Sequence, residues 1–121
     1  MKIAVVGSRG ISAVDIGAYL PENVTEIVSG GAKGVDRLAA DYARKNGIPL
    51  TEFLPDYKRY GRGAPLKRNE QIADYADMVI AFWDRSSRGT AYTIDLFRKR
   101  GKEIRIVDIP SGTAPAFPEN P

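Results

Sequence analysis

The stretch that decides the fold is VSGGAKGVDRLAADYARKNG, residues 28–47. It begins at the end of a β-rich run and passes through three glycines grouped around Lys33. Apolar and charged residues then alternate at helical spacing, which predicts an amphipathic helix over 34–46 that ends at Gly47. In this pattern Asp36 falls on the charged, solvent-facing side. The stretch therefore predicts a strand, a tight turn and a helix in succession.

The same alternation runs along the whole chain. The β-rich runs occupy residues 2–6, 26–29, 49–54, 77–83 and 103–109. Helical patterns lie between them at 12–20, 34–46, 64–76 and 89–100. Strict alternation of strands and helices predicts a parallel sheet with helices on both faces.

The apolar character of the runs predicts the strand order. Residues 3–6 and 78–83 are almost continuously apolar, as in central strands, whereas 103–108 and 50–53 include charges, as in edge strands. We therefore predict an α/β fold, a three-layer αβα sandwich with a five-stranded parallel sheet in the order 3-2-1-4-5. Residues 1–109 form one domain in this prediction. Residues 110–121 are predicted to be an extended, partly disordered proline-rich tail.

Composition excludes several kinds of chemistry. The chain has 121 residues, 43% of them hydrophobic, which is the right size for one domain with a single core. It has no cysteine and no histidine, so disulfides, thiolate zinc sites and histidine bases are excluded. Catalysis would depend on carboxylates, hydroxyls, lysine, arginine and backbone dipoles. A hard cation held by oxygen ligands is still compatible with this composition, but no metal site is predicted.

The first residues and the net charge bear on location and partners. The apolar run after Lys2 has about six residues, far fewer than the roughly 20 that cross a bilayer, and no long signal-peptide segment is present. We therefore expect a cytoplasmic protein without a membrane partner. The net charge of +3 favours anionic partners but does not distinguish a nucleotide from a nucleic acid.

The loop after the first strand is GSRG, with Gly7, Ser8 and Arg9 at the predicted switch point of the sheet. The guanidinium of Arg9 would suit a phosphate or carboxylate there, although an ordinary turn with a solvated arginine explains the sequence equally well. Ser12 and Asp15 have the spacing of a capping box for the helix over 12–20.

The loop after the second strand contains Gly30, Gly31 and Gly34 but matches neither the dinucleotide-binding nor the Walker motif. Adjacent glycines allow an anion to approach free N–H groups, and Gly34 begins a helix whose positive end faces the crevice. Asp36 either complements the helix dipole or accepts hydrogen bonds from a sugar hydroxyl. Lys33 is expected to be a solvated loop residue.

The loop after the fourth strand is WDRSSRGT, residues 83–90. Its serine-containing turn before a helix is a further place where free N–H groups could hold a phosphate. The alternative is that Ser87 simply caps the helix. Three anion-competent loops at adjacent strand ends predict a shared anion-binding crevice.

A basic and aromatic segment, residues 57–68, precedes the fourth strand. It could be a lid over the crevice, a surface for single-stranded nucleic acid, or a solvated loop. Arg68 and Asn69 lie one turn into the following helix, from which they could point back toward the strand ends.

The chain resembles the SLOG superfamily in four ordered motifs: GSR after the first strand, SGGAKGVDRLAADYA at the second, KRNEQIADYAD before the fourth and AFWDRSSRGTAYTI after it. The similarity covers residues 2–108 and looks closest to the small YspA-like proteins. It implies a Rossmann-like fold that binds nucleotides or nucleotide-derived ligands. Related branches include Lonely Guy phosphoribohydrolases, nucleoside-monophosphate N-glycosidases, DNA-processing protein A and the ligand-sensing domains of some channels.

The resemblance also implies a set of ligand-binding residues. These are Gly7, Ser8, Arg9, Gly30, Gly31, Gly34, Asp36, Arg68, Asn69, Ser87, Gly89 and Thr90. The Lonely Guy pattern PGGxGTxxE ends in a catalytic glutamate, and Thr93 stands at that position here. Threonine cannot supply a carboxylate to stabilise an oxocarbenium-like centre or activate water.

Three functions follow as hypotheses. The first is a module, of sensor type, that binds a phosphate-bearing small molecule through the Gly30–Gly31 backbone and Asp36, with Lys33 dispensable. The second is an N-glycosidase acting on nucleoside monophosphates, with Asp36 or Asp84 as the catalytic carboxylate. The third is single-stranded DNA binding through residues 57–68. No cofactor is predicted besides the nucleotide ligand, and the apolar helix faces permit a homodimer, since SLOG relatives commonly self-associate.

Overall fold

The computed structural model describes residues 1–109, whose five parallel strands form one sheet in the order β3-β2-β1-β4-β5. The strands are β1 (Lys2–Gly7), β2 (Glu26–Ser29), β3 (Leu50–Glu52), β4 (Met78–Trp83) and β5 (Glu103–Asp108). The helices are α1 (Val35–Lys45), α2 (Tyr57–Tyr60), α3 (Ala64–Tyr75) and α4 (Arg88–Lys99). The α/β class and the strand order are confirmed. The predicted tail, 110–121, lies outside the described residues.

The two central strands carry the most apolar sequence. β1 pairs with β4 from Ile3 opposite Met78 to Gly7 opposite Phe82, and almost all of their side chains are buried. A strand that is covered on both faces needs a continuous apolar run, which is why these two segments occupy the centre. Their carboxyl ends therefore lie side by side, and the loops that follow them must meet.

Helices cover both faces of the sheet. Along β1, Ile3 and Val5 point to the face that α1 covers, whereas Ala4 and Val6 point to the face of α3 and α4. This alternation follows from the two-residue period of a strand and divides the core into two halves. Among residues 1–109, no helix combines the length and the apolar character needed to cross a lipid bilayer.

The helix predicted over 12–20 is wrong. This segment is irregular apart from a single 3₁₀ turn, Ile16–Ala18, and Asp15 makes no side-chain capping hydrogen bond. Gly17 packs against Tyr42 of α1 so closely that a Cβ there would lie 2.5 Å from the tyrosine hydroxyl oxygen. Burial of Ile11 and Ile16 in the α1-side core outweighs the weak helical tendency of a short segment that contains glycine.

The remaining boundaries agree with the predictions to within one residue at each end, with two exceptions. β3 spans only Leu50–Glu52 instead of 49–54, and residues 57–63, for which no helix was predicted, form α2 and a 3₁₀ turn. The carboxylate of Asp56 caps α2 by accepting a hydrogen bond from the Arg59 amide at 3.1 Å. This cap allows a helix of only four residues.

Candidate functional site

A cleft of about 460 Å³ opens at the carboxyl ends of β1 and β4, at the predicted switch point of the sheet. Most of the predicted site residues line it: Gly7, Ser8, Arg9, Asp36, Arg68, Asn69, Asp84, Ser87, Gly89 and Thr90. They come from the loops that follow β1 and β4, from the first turns of α1 and α4, and from α3. The fold therefore gathers segments that are separated by up to eighty residues into one concave site.

Ser8 ties the two central loops together. Its amide donates to the Phe82 carbonyl at 3.1 Å, and its hydroxyl accepts from the Asp84 amide at 3.2 Å. Gly7 has no room for a side chain, because a Cβ would lie 2.5 Å from a Val35 methyl carbon and 2.6 Å from the Phe82 oxygen. The loop after β1 thus packs tightly between β4 and the start of α1, with Arg9 exposed at the rim of the cleft.

Asp36 is buried, so its predicted place on the wet face of α1 is wrong. Only 6% of the residue is exposed, because the first turn of α1 lies beneath the loop from β1. One carboxylate oxygen accepts from the Ala32 amide at 3.2 Å. Burial raises the pKa of Asp36, while the Ala32 amide and the Arg68 guanidinium act in the opposite direction.

Arg68 crosses from α3 to the loop after β2. Its guanidinium donates to the Gly30 carbonyl, and its Nε donates to the Asn69 side-chain oxygen at 2.8 Å. The residue is 7% exposed, and burial lowers the pKa of Arg68 against the opposing effect of Asp36. Within residues 1–109 its Nη2 has no hydrogen-bonding partner. Arg68 therefore brings a desolvated cation with unused donors to the wall of the cleft.

The three glycines of the second loop lie outside the residues that line the cleft. A Cβ at Gly30 would lie 2.6 Å from Nη1 of Arg68, and one at Gly34, where φ is +75°, would lie 2.8 Å from the Ser8 carbonyl oxygen. A Cβ at Gly31, where φ is +70°, would meet the side chain of Leu54. These glycines position the arginine and the neighbouring loops.

Lys33 also lies outside the cleft. It is exposed and borders a smaller depression of about 290 Å³, together with Arg37 and Arg44. The lysine in the glycine-rich loop is therefore not among the residues that line the cleft.

The loop before α4 uses its own side chains to satisfy its amides. One oxygen of Asp84 accepts from the amides of Ser86 at 2.9 Å and Ser87 at 2.8 Å, which lowers the pKa of Asp84. The Ser87 hydroxyl caps α4 by accepting from the Thr90 amide at 3.4 Å. The expectation that these N–H groups are free is therefore wrong for Ser86, Ser87 and Thr90.

Two amides at the start of α4 do remain available. Within residues 1–109, neither the Arg88 nor the Gly89 amide has a hydrogen-bonding partner, as is usual for the first turn of a helix. Gly89 lines the cleft. The positive end of α4 therefore still offers two donors to an anion.

The sequence did not predict the contacts of Arg85 that stabilise the loop before α4. Arg85 has a left-handed φ of 67°, its guanidinium lies 4.9 Å from the centroid of the Trp83 ring, and it pairs with both oxygens of Asp108. The Trp83 indole N–H donates to the Ser87 carbonyl at 3.0 Å. No sequence pattern could have linked Arg85 to Asp108, because only the pairing of β4 with β5 brings them together.

The basic and aromatic segment, residues 57–68, stands beside the cleft. Tyr57 is 58% exposed, and the ring of Tyr60 already has two cations near it, Arg59 at 5.4 Å and Lys67 at 5.8 Å from its centroid. Of this segment only Pro65, Leu66 and Arg68 line the cleft.

Comparison with known families identifies the first half of the chain. The model of the YspA, cpYpsA-related SLOG family matches residues 1–60, which include the loops after β1 and β2. Through these residues, just under half of the chain, the protein is similar to the SLOG family. No curated protein and no solved structure matches the chain.

The SLOG match ends before α3 and α4, so the geometry alone joins Arg68 and the loop before α4 to the glycine-rich loops. Thr93, the residue that aligns with the Lonely Guy glutamate in the resemblance, is 2% exposed and lines the cleft. Its hydroxyl donates to the Gly89 carbonyl at 3.0 Å. Among residues 1–109, the carboxylates that line the cleft are those of Asp36 and Asp84. In the part of the chain described here, no three acidic side chains are grouped so that they could hold a metal ion.

Proposed function

We propose that the cleft binds a nucleotide or a nucleotide-derived ligand through its phosphate. The observation that carries this proposal is Arg68, which is 7% exposed and lines the cleft with donors that no residue of 1–109 accepts. Burying a guanidinium is costly unless its hydrogen bonds are made. An anion on Arg68 and the first amides of α4 would supply the missing charge-assisted hydrogen bonds.

The rest of the lining suits the other parts of such a ligand. Asp36 can accept from hydroxyl groups of a sugar, and the apolar side chains of Pro65, Leu66 and Ile72 offer a surface for a flat base. The volume of about 460 Å³ is within the usual range of roughly 300–1,000 Å³ for small-molecule sites. Because Thr93 carries no carboxylate, a binding module of sensor type fits better than a phosphoribohydrolase of the Lonely Guy kind.

Thermal unfolding with a ligand panel tests the proposal. The panel contains nucleoside mono-, di- and triphosphates, cyclic nucleotides and ADP-ribose derivatives. A ligand at a hundred times its Kd stabilises the folded protein by about 2.7 kcal/mol, which should raise Tm by several degrees. No shift with any member of the panel would contradict the proposal.

Matched variants locate the binding. Arg68→Met should lose most of the ligand-induced shift, whereas Lys67→Met should keep it, because Lys67 is the neighbouring exposed cation outside the cleft. Arg9→Met removes a charge from the rim without disturbing the core, and it should reduce the shift even if Arg68→Met lowers the basal Tm. Equal shifts in all three variants would place the ligand elsewhere.

A second candidate is cleavage of an N-glycosidic bond in a nucleoside monophosphate. The pKa of Asp36 is raised by burial and that of Asp84 is lowered by two amides, and both residues line the same cleft. Carboxyl groups with pKa values moved in opposite directions are typical of an acid and a carboxylate that share a reaction. Release of free base from nucleoside monophosphates should then fall in both Asp36→Asn and Asp84→Asn. Unchanged rates in both variants would refute these roles.

A further inference from the structure

We infer that Asp84 makes the cleft selective for ligand charge, so that a monophosphate or phosphodiester binds and a di- or triphosphate is disfavoured. The inference rests on the proposed nucleotide-binding function of the same cleft. It assigns to Asp84 a role in specificity that does not depend on any reaction.

The lining holds equal numbers of basic and acidic residues. Among residues 1–109, two arginines and two aspartates line the cleft: Arg9, Arg68, Asp36 and Asp84. The chain as a whole carries a net charge of +3. The cleft therefore does not share the positive excess of the chain, and it lacks the surplus of cations that a ligand with several phosphate charges needs.

Asp84 is the carboxylate at the anion-binding end of the cleft. One of its oxygens accepts from the Ser86 and Ser87 amides, at the turn that leads into α4. The free amides of Arg88 and Gly89 begin the same helix. A phosphate that reaches these amides would thus lie beside a fixed negative charge.

The charge of Asp84 is held firmly in place. The two amides lower its pKa, so the group stays ionised at neutral pH. As a carboxylate, Asp84 can accept a hydrogen bond from a hydroxyl but not from an ionised phosphate, which has no proton to donate. Each added phosphate charge therefore increases the repulsion from the Asp84 carboxylate. For unit charges several ångströms apart in a partly solvated site, we expect each one to weaken ligand affinity by roughly threefold to tenfold.

The experiment compares Kd values for the 5′-mono-, di- and triphosphates of adenosine and guanosine by calorimetry, at constant ionic strength with EDTA to remove divalent cations. Asp84→Asn removes the charge and keeps an oxygen that can accept from the two amides. The wild-type protein should bind the triphosphate at least about tenfold more weakly than the monophosphate. In Asp84→Asn this ratio should fall to about threefold or less.

Asp77→Asn is the matched control. Asp77 immediately precedes β4, at the opposite end of the strand that Asp84 follows, and its carboxylate also accepts a backbone N–H, from Lys2 at 2.7 Å. This variant loses the same charge and should keep the wild-type ratio.

The outcomes separate the two proposals. If no nucleotide binds the wild-type protein, the proposed function fails and the inference fails with it. If the monophosphate binds but the triphosphate binds equally well or better, the inference alone fails, whatever the stability of the variant. A ratio that is unchanged in a folded Asp84→Asn protein likewise overturns the role of Asp84.

Discussion

The two ends of the sheet treat their charged groups differently. At the amino end, Glu26 accepts short hydrogen bonds, 2.6 Å each, from the hydroxyls of Thr51 and Tyr75. The Lys102 ammonium donates to the carbonyls of Ala73, Asp74 and Ala76 at the end of α3, which satisfies acceptors that every helix leaves open. At the carboxyl end, Arg68 and Asp36 are more deeply buried, and within residues 1–109 the Arg68 guanidinium makes only two hydrogen bonds.

This difference in hydrogen bonding indicates that the charged groups at the amino end stabilise the fold, whereas those at the carboxyl end are suited to bind a ligand. A buried polar group that the protein does not fully satisfy costs free energy, so folding alone gives no reason to retain it. The Lys102 ammonium donates to three backbone carbonyls, whereas Arg68 has donors that no residue of 1–109 accepts. The unsatisfied end is therefore where a ligand is expected, and the following substitutions test this contrast from the largest effect to the smallest.

The largest loss of stability is expected from a side chain added at Gly7, at the carboxyl end of β1. Gly7→Ala would force a Cβ against the Val35 side chain and the Phe82 carbonyl, both within 2.6 Å. We expect a loss of about 3 kcal/mol in the free energy of unfolding, measured by urea denaturation. Gly63→Ala is the control, since no atom lies within 4 Å of the added carbon, and it should change stability by less than about 0.5 kcal/mol. Similar losses in both would show that the tight fit is not what Gly7 provides.

At the amino end, Lys102→Met should destabilise the protein without affecting the cleft. The variant leaves three carbonyl oxygens at the end of α3 without their ammonium donor, which we expect to cost about 2 kcal/mol in urea denaturation. Lys99→Met should cost less than about 0.5 kcal/mol, because Lys99 is a surface residue whose side chain is 72% exposed and pairs with Asp95. Ligand-induced Tm shifts should survive in both variants. If Lys102→Met lost the ligand-induced Tm shift, the amino end of the sheet would contribute to binding as well as to stability, contrary to the proposal.

The smallest effects should appear in the pH dependence of stability, with opposite signs at the two ends. Burial raises the pKa of Asp36, so the folded state binds its proton more tightly than the unfolded chain. Its contribution to stability is therefore largest in acid and falls as the pH rises from about 4, the unfolded value, through the raised folded pKa. Two hydroxyl donors lower the pKa of Glu26, whose contribution is present above the unfolded value and is lost as the pH falls through the folded pKa.

Difference curves isolate these two groups from the other carboxylates. Subtracting the Tm of Asp36→Asn from that of the wild type at each pH from 3 to 7 should give a difference that decreases with pH. The same subtraction for Glu26→Gln should give a difference that increases with pH. If the Tm difference changed with pH in the same direction for both variants, the opposite pKa shifts of Asp36 and Glu26 would be refuted.

The sequence predicted most of the fold because the relevant signals are local. Continuous apolar runs at 3–6 and 78–83 mark strands that must be covered on both faces, and this placed them at the centre of the sheet. The helix over 12–20 failed because tertiary burial of Ile11 and Ile16 decided its conformation. The short α2 was missed because one capping carboxylate, Asp56, is enough to form a turn that periodicity cannot register.

The candidate site was predicted in outline but not in its electrostatics. The carboxyl ends of β1 and β4 had to meet, so the loops after them, with Arg9 and Ser87, could be placed in one crevice from the strand order. Helical periodicity predicted that Asp36 is exposed to solvent, because the periodicity describes the faces of one helix and not the loop that covers its first turn. The occupation of the Ser86 and Ser87 amides by Asp84 could not be read from residue types either, since it depends on the path of the loop.

The sequence by itself determined the alternation of strands and helices, the central pair of strands and the absence of thiol and imidazole chemistry. These properties follow from residue type and spacing, which act over a few residues. Only the tertiary structure decided that Arg68 reaches the loop after β2, that Asp36 is buried beside it, and that Asp84 places a negative charge at the start of α4. Burial and electrostatic interaction depend on distances between segments that are far apart in the chain, and those distances exist only once the sheet has formed.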